Sequence, residues 1–189
     1  STAGNTHSCQ VTTVGVAYCW GFNNGRLGTG SAGTVSTPTP VDGSLVFASI
    51  SAGNTHTCGV TTTGAGYCWG DKSQGRLGNG ENEFDVALSP VAVNGSLTWS
   101  RIVAGSDHSC GMTTTGAGYC WGLNNVGQVG DNTSDTRTEP AAVSGSHVFQ
   151  SIVTGNMASC GVTTTKEALC WGNVGSGNQV GVPTVVKSP

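Results

Sequence analysis

HTCGVTTTGAGYCWG, from His56 to Gly70, occurs four times in this chain in slightly different spellings. The other copies are HSCQVTTVGVAYCWG from His7, HSCGMTTTGAGYCWG from His108 and ASCGVTTTKEALCWG from Ala158. Their leading cysteines are Cys9, Cys58, Cys110 and Cys160, so the period runs from 49 residues (9 to 58) to 52 (58 to 110). A fixed period of that size marks a repeat architecture, in which each unit buries its apolar face against its neighbours.

The copy itself reads as a hairpin. Pairing Cys58 with Cys68 leaves Thr62, Thr63 and Gly64 as a three-residue loop, which is typically a type I turn followed by one left-handed residue. Glycine suits that last position because it lacks a Cβ. Gly15, Gly64 and Gly116 occupy it, whereas Lys166 stands there in the fourth copy and is expected to strain or rearrange the turn. In this register the two cysteines of a copy face each other at a non-hydrogen-bonded pair, close enough to bridge. The expected disulfides are Cys9–Cys19, Cys58–Cys68, Cys110–Cys120 and Cys160–Cys170, each worth roughly 2–3 kcal/mol on a chain-entropy argument. Structural zinc favours C-x2–4-C knuckles, and this spacing makes none, so no metal and no cofactor is expected. Disulfides of this density imply an oxidising compartment, extracellular or at the cell surface.

The 189 residues carry 9% charged side chains, 31 glycines and a net charge of −3, with seven lysines plus arginines. So few cations leave no basic surface for phosphates, which excludes nucleic acid as the expected partner. There is also no apolar run of about 18 residues to span a membrane.

Along the chain, FASISAG (47–53), WSRIVAG (99–105) and FQSIVTG (149–155) read as strands preceding the hairpins; the first repeat retains only the end of this segment, Ser1 to Gly4. After each hairpin comes a glycine-rich turn: GFNNGRLGTG, GDKSQGRLGNG, GLNNVGQVGD and GNVGSGNQVG. A variable polar loop follows, then a short segment opening on proline (PVDGSLV at 40–46, PVAVNGSL at 90–97, PAAVSGSH at 140–147), read as an edge strand. The expected fold is all-β: β-propeller-type blades in four repeats of about 50 residues, each of about four antiparallel strands. The repeats span about 1–46, 47–98, 99–148 and 149–189 of a single domain.

The order I-x-A-G-x-x-H-[ST]-C, YCWG, GRLG-x-G and Pro-x-x-Val resembles the regulator of chromosome condensation repeat family, and the paired cysteines resemble its secreted bacterial branch. The resemblance implies propeller blades, usually seven to a ring. In the family one member promotes nucleotide exchange on a small GTPase and another inhibits β-lactamases. Four repeats fill only part of such a ring, and disulfides are incompatible with a nuclear protein, so the exchange activity is not carried over. The last repeat is short, with 13 positions from Cys170 to Pro183 against 20 to 22 in the others, which suggests a true C-terminal unit.

His7, His56 and His108 recur at one position and would converge around a common axis. Three imidazoles could bind a metal, but Ala158 replaces the fourth and no carboxylate repeats nearby, so each is read as bonding backbone within its own blade. Trp20, Trp69, Trp121 and Trp171 recur as blade-packing residues, with carbohydrate stacking as the rival role. Gly25 to Gly30 lacks the lysine and helix of a phosphate loop. Asp131 to Asp135 lacks the Gly and Glu of a calcium loop. No G-x-S-x-G elbow or Ser/His/Asp set stands out, so the chain is not expected to be an enzyme. Asn94 and Asn132 open glycosylation sequons, and the Thr/Pro-rich 35–41 stretch is a further glycosylation candidate.

What varies between repeats is more informative about binding than what recurs. Segments 29–39, 79–89 and 131–139 share neither length nor sequence. They carry the candidate binding residues Glu81, Glu83, Phe84, Asp85, Asp135, Arg137 and Glu139. Such insertions on a repeat scaffold cluster on one face. The expectation is an extracellular, non-enzymatic module that binds a protein or glycan. The alternative is a structural subunit that pairs end to end through its two uncapped faces, closing a ring or continuing as a filament.

Overall fold

A computed structural model describes residues 1–175 and 179–186. Four antiparallel sheets of four strands follow one another, and each is a meander with strands in sequence order. The first holds β1 (Thr2–Ala3), β2 (His7–Val11), β3 (Ala17–Gly21) and β4 (Val35–Pro40). The second holds β5 (Phe47–Ala52), β6 (His56–Thr61), β7 (Gly66–Asp71) and β8 (Val86–Ala92). The third holds β9 (Trp99–Ala104), β10 (His108–Thr113), β11 (Gly118–Gly122) and β12 (Arg137–Ala142). The fourth holds β13 (Phe149–Thr154), β14 (Ala158–Thr163), β15 (Ala168–Asn173) and β16 (Gln179–Val185).

The hairpin register is the one the cysteines require. Cys58 stands opposite Cys68, and the equivalent cysteines pair in every blade. All four disulfides are formed, at Cα separations of 4.0 to 4.2 Å, the closeness of a non-hydrogen-bonded pair. Thr61 N donates to Ala65 O and Gly64 N to Thr61 O, which confines the loop to Thr62–Gly64, with Gly64 at φ 85°. In the fourth blade Lys166 adopts φ 70° and keeps the bond to Thr163 O. That turn is therefore strained but not rearranged.

The fourth strands lie earlier than the proline segments suggested. Val35, Ala87 and Arg137 pair with the glycine that ends each CWG triplet, after a bulge at the tryptophan, and in the second blade pairing extends one residue further, to Val86 opposite Asp71. Pro40 closes β4 while Pro90 and Pro140 sit within β8 and β12; each of these strands has one neighbour only, so the missing N–H breaks no ladder. The residues after them form the passage to the next blade. The Thr/Pro-rich stretch from Val35 is thus an edge strand, not a loop. In the last repeat Gln179 and Val180 pair with Asn173 and Gly172, so part of the expected glycine-rich turn is strand. The rest of that turn, 176–178, and the end of the chain, 187–189, lie outside the described residues.

Inside each complete blade, the aromatic of the first strand packs on the tryptophan of the third. Phe47–Trp69, Trp99–Trp121 and Phe149–Trp171 have centroids 5.8, 5.6 and 5.9 Å apart. The second strand must then pass under that ring. A Cβ on Gly59 would lie 2.8 Å from Phe47, and one on Gly111 2.5 Å from Trp99. The first repeat has no such aromatic, and Gln10 stands where the others have glycine.

Candidate functional site

Both ends of the sheets can be placed from the register. Gly21 pairs with His7 and with Val35, so the turn between first and second strands and the loop between third and fourth emerge together. The hairpins and the passages between blades occupy the other end. At the loop-bearing end the first-strand turns of all four blades converge on an opening of about 460 Å³, lined by small residues such as Gly53 and Gly105 and by Asn5, Asn54, Ser106 and Asn156. The blades touch there through backbone. A Cβ on Gly53 would lie 2.4 Å from Gly105 O, and Asn54 N donates to Gly105 O at 3.1 Å.

The recurrent histidines join blades. His7 Nε2 lies 2.7 Å from Thr57 Oγ1, His56 Nε2 2.8 Å from Ser109 Oγ, and His108 Nε2 2.8 Å from Ser159 Oγ. Each hydroxyl donates its own proton to a carbonyl of the preceding blade: Thr57 to Arg26 O, Ser109 to Arg76 O, Ser159 to Gln128 O. A hydroxyl that has given its proton away can only accept from the imidazole, which fixes the Nε2–H tautomer. The imidazoles are buried and, among the described residues, their Nδ1 atoms have no partner. Burial, with Arg26 nearby, lowers the His7 pKa to about 4; burial lowers His108 to about 4 and holds His56 well below its ordinary value. They are neutral, and their partners are side chains of the next blade rather than backbone of their own. Among the described residues no group of three or more His, Cys, Asp and Glu side chains is placed to hold a metal ion.

The glycine-rich G-[RQ]-[LV]-G turns complete the joints as wedges. Leu27, Leu77 and Val129 are fully buried. Gly28, Gly78 and Gly130 lie against the next blade's indole, where a Cβ would come within 2.6 Å of Trp69, Trp121 and Trp171. Trp69 and Trp121 donate their indole N–H to the same Arg26 and Arg76 carbonyls that receive the hydroxyls. The tryptophans therefore have a packing role, and three are wholly buried; Trp20, which no wedge covers, is half-buried. Sequence reading took these motifs for turns and missed the hydroxyl of H-[ST]-C, although that position is Ser or Thr in every copy.

The arginine side chains of the wedges reach toward the axial opening. Arg76 pairs with Asp71 at 3.2 Å and with Asp107 of the following blade at 3.0 Å. Arg26 donates to Thr6 Oγ1 and Asn54 O, and its guanidinium lies 4.9 Å from the centre of the half-exposed Phe22 ring.

The candidate binding residues divide into separate roles. Lys72 gathers Glu81, Glu83 and Asp85 at 3.1, 3.8 and 3.8 Å, which folds the acidic loop back on its own blade. Its ammonium is held above its ordinary pKa by the Glu81 hydrogen bond, and Glu81 is held below its own by Asn79 and Lys72. Phe84, at the centre of that loop, is 96% exposed. Arg137 belongs to β12 and pairs with Asp131, whose carboxyl is kept low because bonds from Thr133 and Arg137 outweigh the upward push of burial. Asp135 is exposed on the loop before it. Glu139 lies within β12, where it accepts a bond from Asn94 Nδ2 at 2.8 Å. The Asn94 sequon is thereby tied across two blades, while Asn132 is exposed at φ 65°. No helix among the described residues is long and apolar enough to cross a membrane.

The geometry agrees with comparisons to known proteins. The regulator of chromosome condensation (RCC1) repeat matches residues 15–60 and 63–112, and a second description of it matches 47–76 and 99–128. The RCC1 domain-containing protein RUG3, mitochondrial, of Arabidopsis thaliana is 30% identical over 134 residues, which is 66% of this chain and 30% of that protein. The chain spans less than a third of the curated relatives it matches. Human WBSCR16 superposes with a TM-score of 0.87 at 19% identity, over 99% of this chain and 52% of its own. Prp20p of Saccharomyces cerevisiae, whose binding to Gsp1p and histones has been described, superposes at 0.84 with 20% identity, over 98% of this chain and 49% of its own. The chain belongs to the regulator of chromosome condensation repeat family, and its four sheets are blades of that family's β-propeller.

Proposed function

We propose that this chain is a non-enzymatic protein-binding module of an oxidising, extracellular compartment, and that it meets its partner with the loop-bearing end of the blades. One observation carries the reading: Phe84 is almost fully exposed at the tip of a loop that Lys72 holds in place. An aromatic displayed on a fixed loop gives up little entropy on binding and offers a large apolar contact. Glu83 and Asp85 flank it, so the complementary surface is a protein pocket with a basic rim rather than a glycan. Prp20p provides a precedent for proteins as ligands of this fold. The four disulfides support the compartment.

A photo-cross-linking residue at position 84, compared with one at Val14 on the opposite end, tests this. Val14 is 73% exposed, so access is comparable. Adducts with a second protein at 84, absent at 14, are expected. Adducts confined to 14 overturn the reading, and adducts between copies of this chain replace it with self-assembly.

A further inference from the structure

Charge is matched joint by joint along the wedges, with one exception. Arg76 of the second wedge meets Asp71 of its own blade and Asp107 of the next. The third wedge carries the neutral Gln128, and the same two positions there hold Leu123 and Met157. The first wedge carries Arg26, yet the positions that would answer it hold Phe22 and Thr55. Arg26 and Arg76 share their neutral bonds. Nη1 of each donates to a threonine hydroxyl, Thr6 or Thr55, and to a carbonyl of the next blade, Asn54 or Ser106. Arg76 donates further, from Nε to Ser73 O and from Nη2 to Ser73 Oγ. The first turn is one residue shorter and supplies no counterpart. Arg26 Nε is enclosed without a partner, and its Nη2 donates to nothing among the described residues.

A guanidinium keeps its proton, and a buried charge without an opposite charge is costly. Arg26 is 8% exposed and forms no ion pair among the described residues. Burial pushes its pKa down, opposed by Asp71 of the second blade, but that carboxylate is already engaged by Arg76 and Ser73. We propose that Arg26 is a binding site for one carboxylate from outside the chain, which takes the part that Asp71 and Asp107 play at the second wedge. Both answering positions lie within the two blades that Arg26 joins, so the deficit is local to this joint. Access is from the loop-bearing end, beside Phe22, whose ring faces the guanidinium and is 52% exposed. A cation beside an exposed ring suits an acid carried on a short apolar stem: a glutamate side chain of a protein, or a small carboxylic acid.

The Arg26 Nε–H magnetic resonance, assigned by its loss in Arg26→Gln, reads the site whether or not Phe84 meets a partner. Sodium acetate titrated into the native chain should shift it saturably, against sodium chloride at the same ionic strength as reference. A blocked tripeptide with glutamate between two glycines should do the same, and its glutamine counterpart should not. Tighter binding of the glutamate peptide than of acetate identifies a protein side chain as the ligand; equal or weaker binding identifies a small acid. Phe22→Asp places a carboxylate where the second blade has Asp71, and should abolish both responses by occupying Arg26 from within. The absence of a saturable shift, a shift that chloride reproduces, or an acetate response undiminished in Phe22→Asp overturns the proposal. Should Arg26→Gln not fold, Arg26→Lys supplies the assignment, and the wild-type comparison of acetate with chloride decides.

Discussion

His56 and Ser109 belong to different blades, and the imidazole Nε2–H donates across 2.8 Å to a hydroxyl that in turn donates to Arg76 O. Replacing Ser109 with alanine strands a buried imidazole N–H and deprives a carbonyl of one of its two donors. Ser109→Ala should destabilise the chain by about 2–3 kcal/mol, the penalty for buried polar groups left unpaired. Ser8 holds the same repeat position in the first blade and makes neither bond among the described residues. Ser8→Ala should therefore stay within about 0.5 kcal/mol of wild type. Urea midpoints measured on both variants compare the two directly, and equal effects would remove the relay from the account of how blades join.

The same histidines set an acid limit. In the unfolded chain they titrate near 6.5, whereas His7 and His108 in the fold are lowered to about 4 and His56 is held well below its ordinary value. Between those values the unfolded state binds more protons, so stability is complete above pH 6.5 and declines as pH falls toward 4. Each histidine contributes a slope of at most about 1.4 kcal/mol per pH unit. His108→Gln, which keeps a side-chain N–H for Ser159 but does not titrate, should lessen the slope by about one proton. Stability that is flat between pH 7 and pH 5 contradicts the neutral assignment.

The repeat, the hairpin and its bridges were legible because cysteine spacing and a glycine at one turn position leave few registers open. The joints were not. His7 binds Thr57, fifty positions away, and nothing local in H-[ST]-C shows that the histidine and the hydroxyl serve different neighbours. The wedges read as turns because their burial depends on a partner blade. The variable segments were found but drawn too long: Arg137 and Glu139 are strand residues whose polar character reflects an edge. The tie between Lys72 and its three carboxylates depends on how the loop folds back, which composition does not encode.

At the axis, contact between blades is backbone on backbone. Gly53→Ala would bring a methyl to 2.4 Å from Gly105 O, a clash with main chain that no rotamer relieves. The loss expected is about 3 kcal/mol or more, in the range of severe overpacking. A Cβ on Gly33 would meet nothing within 4 Å among the described residues, and Gly33→Ala should be neutral or slightly stabilising through the unfolded chain. Thermal midpoints of the pair distinguish close approach from a general intolerance of glycine replacement.

The fourth hairpin offers the opposite sign. Lys166 adopts φ 70° at the turn position that Gly15, Gly64 and Gly116 hold in the other copies, and it keeps the same bond to Thr163 O. A side chain at positive φ crowds its own backbone, and glycine relieves this; against that, glycine gives the unfolded chain more freedom. Lys166 also donates to Gln150 Oε1 at 2.7 Å, an exposed contact of small value. Relief of the strain, about 1 kcal/mol, exceeds both losses. Lys166→Gly should therefore stabilise the chain by a few tenths to about 1 kcal/mol, an unusual outcome for introducing glycine. The gain should appear in the unfolding midpoint with the urea slope unchanged. A midpoint lowered by the substitution would show that the lysine is not strained in that turn.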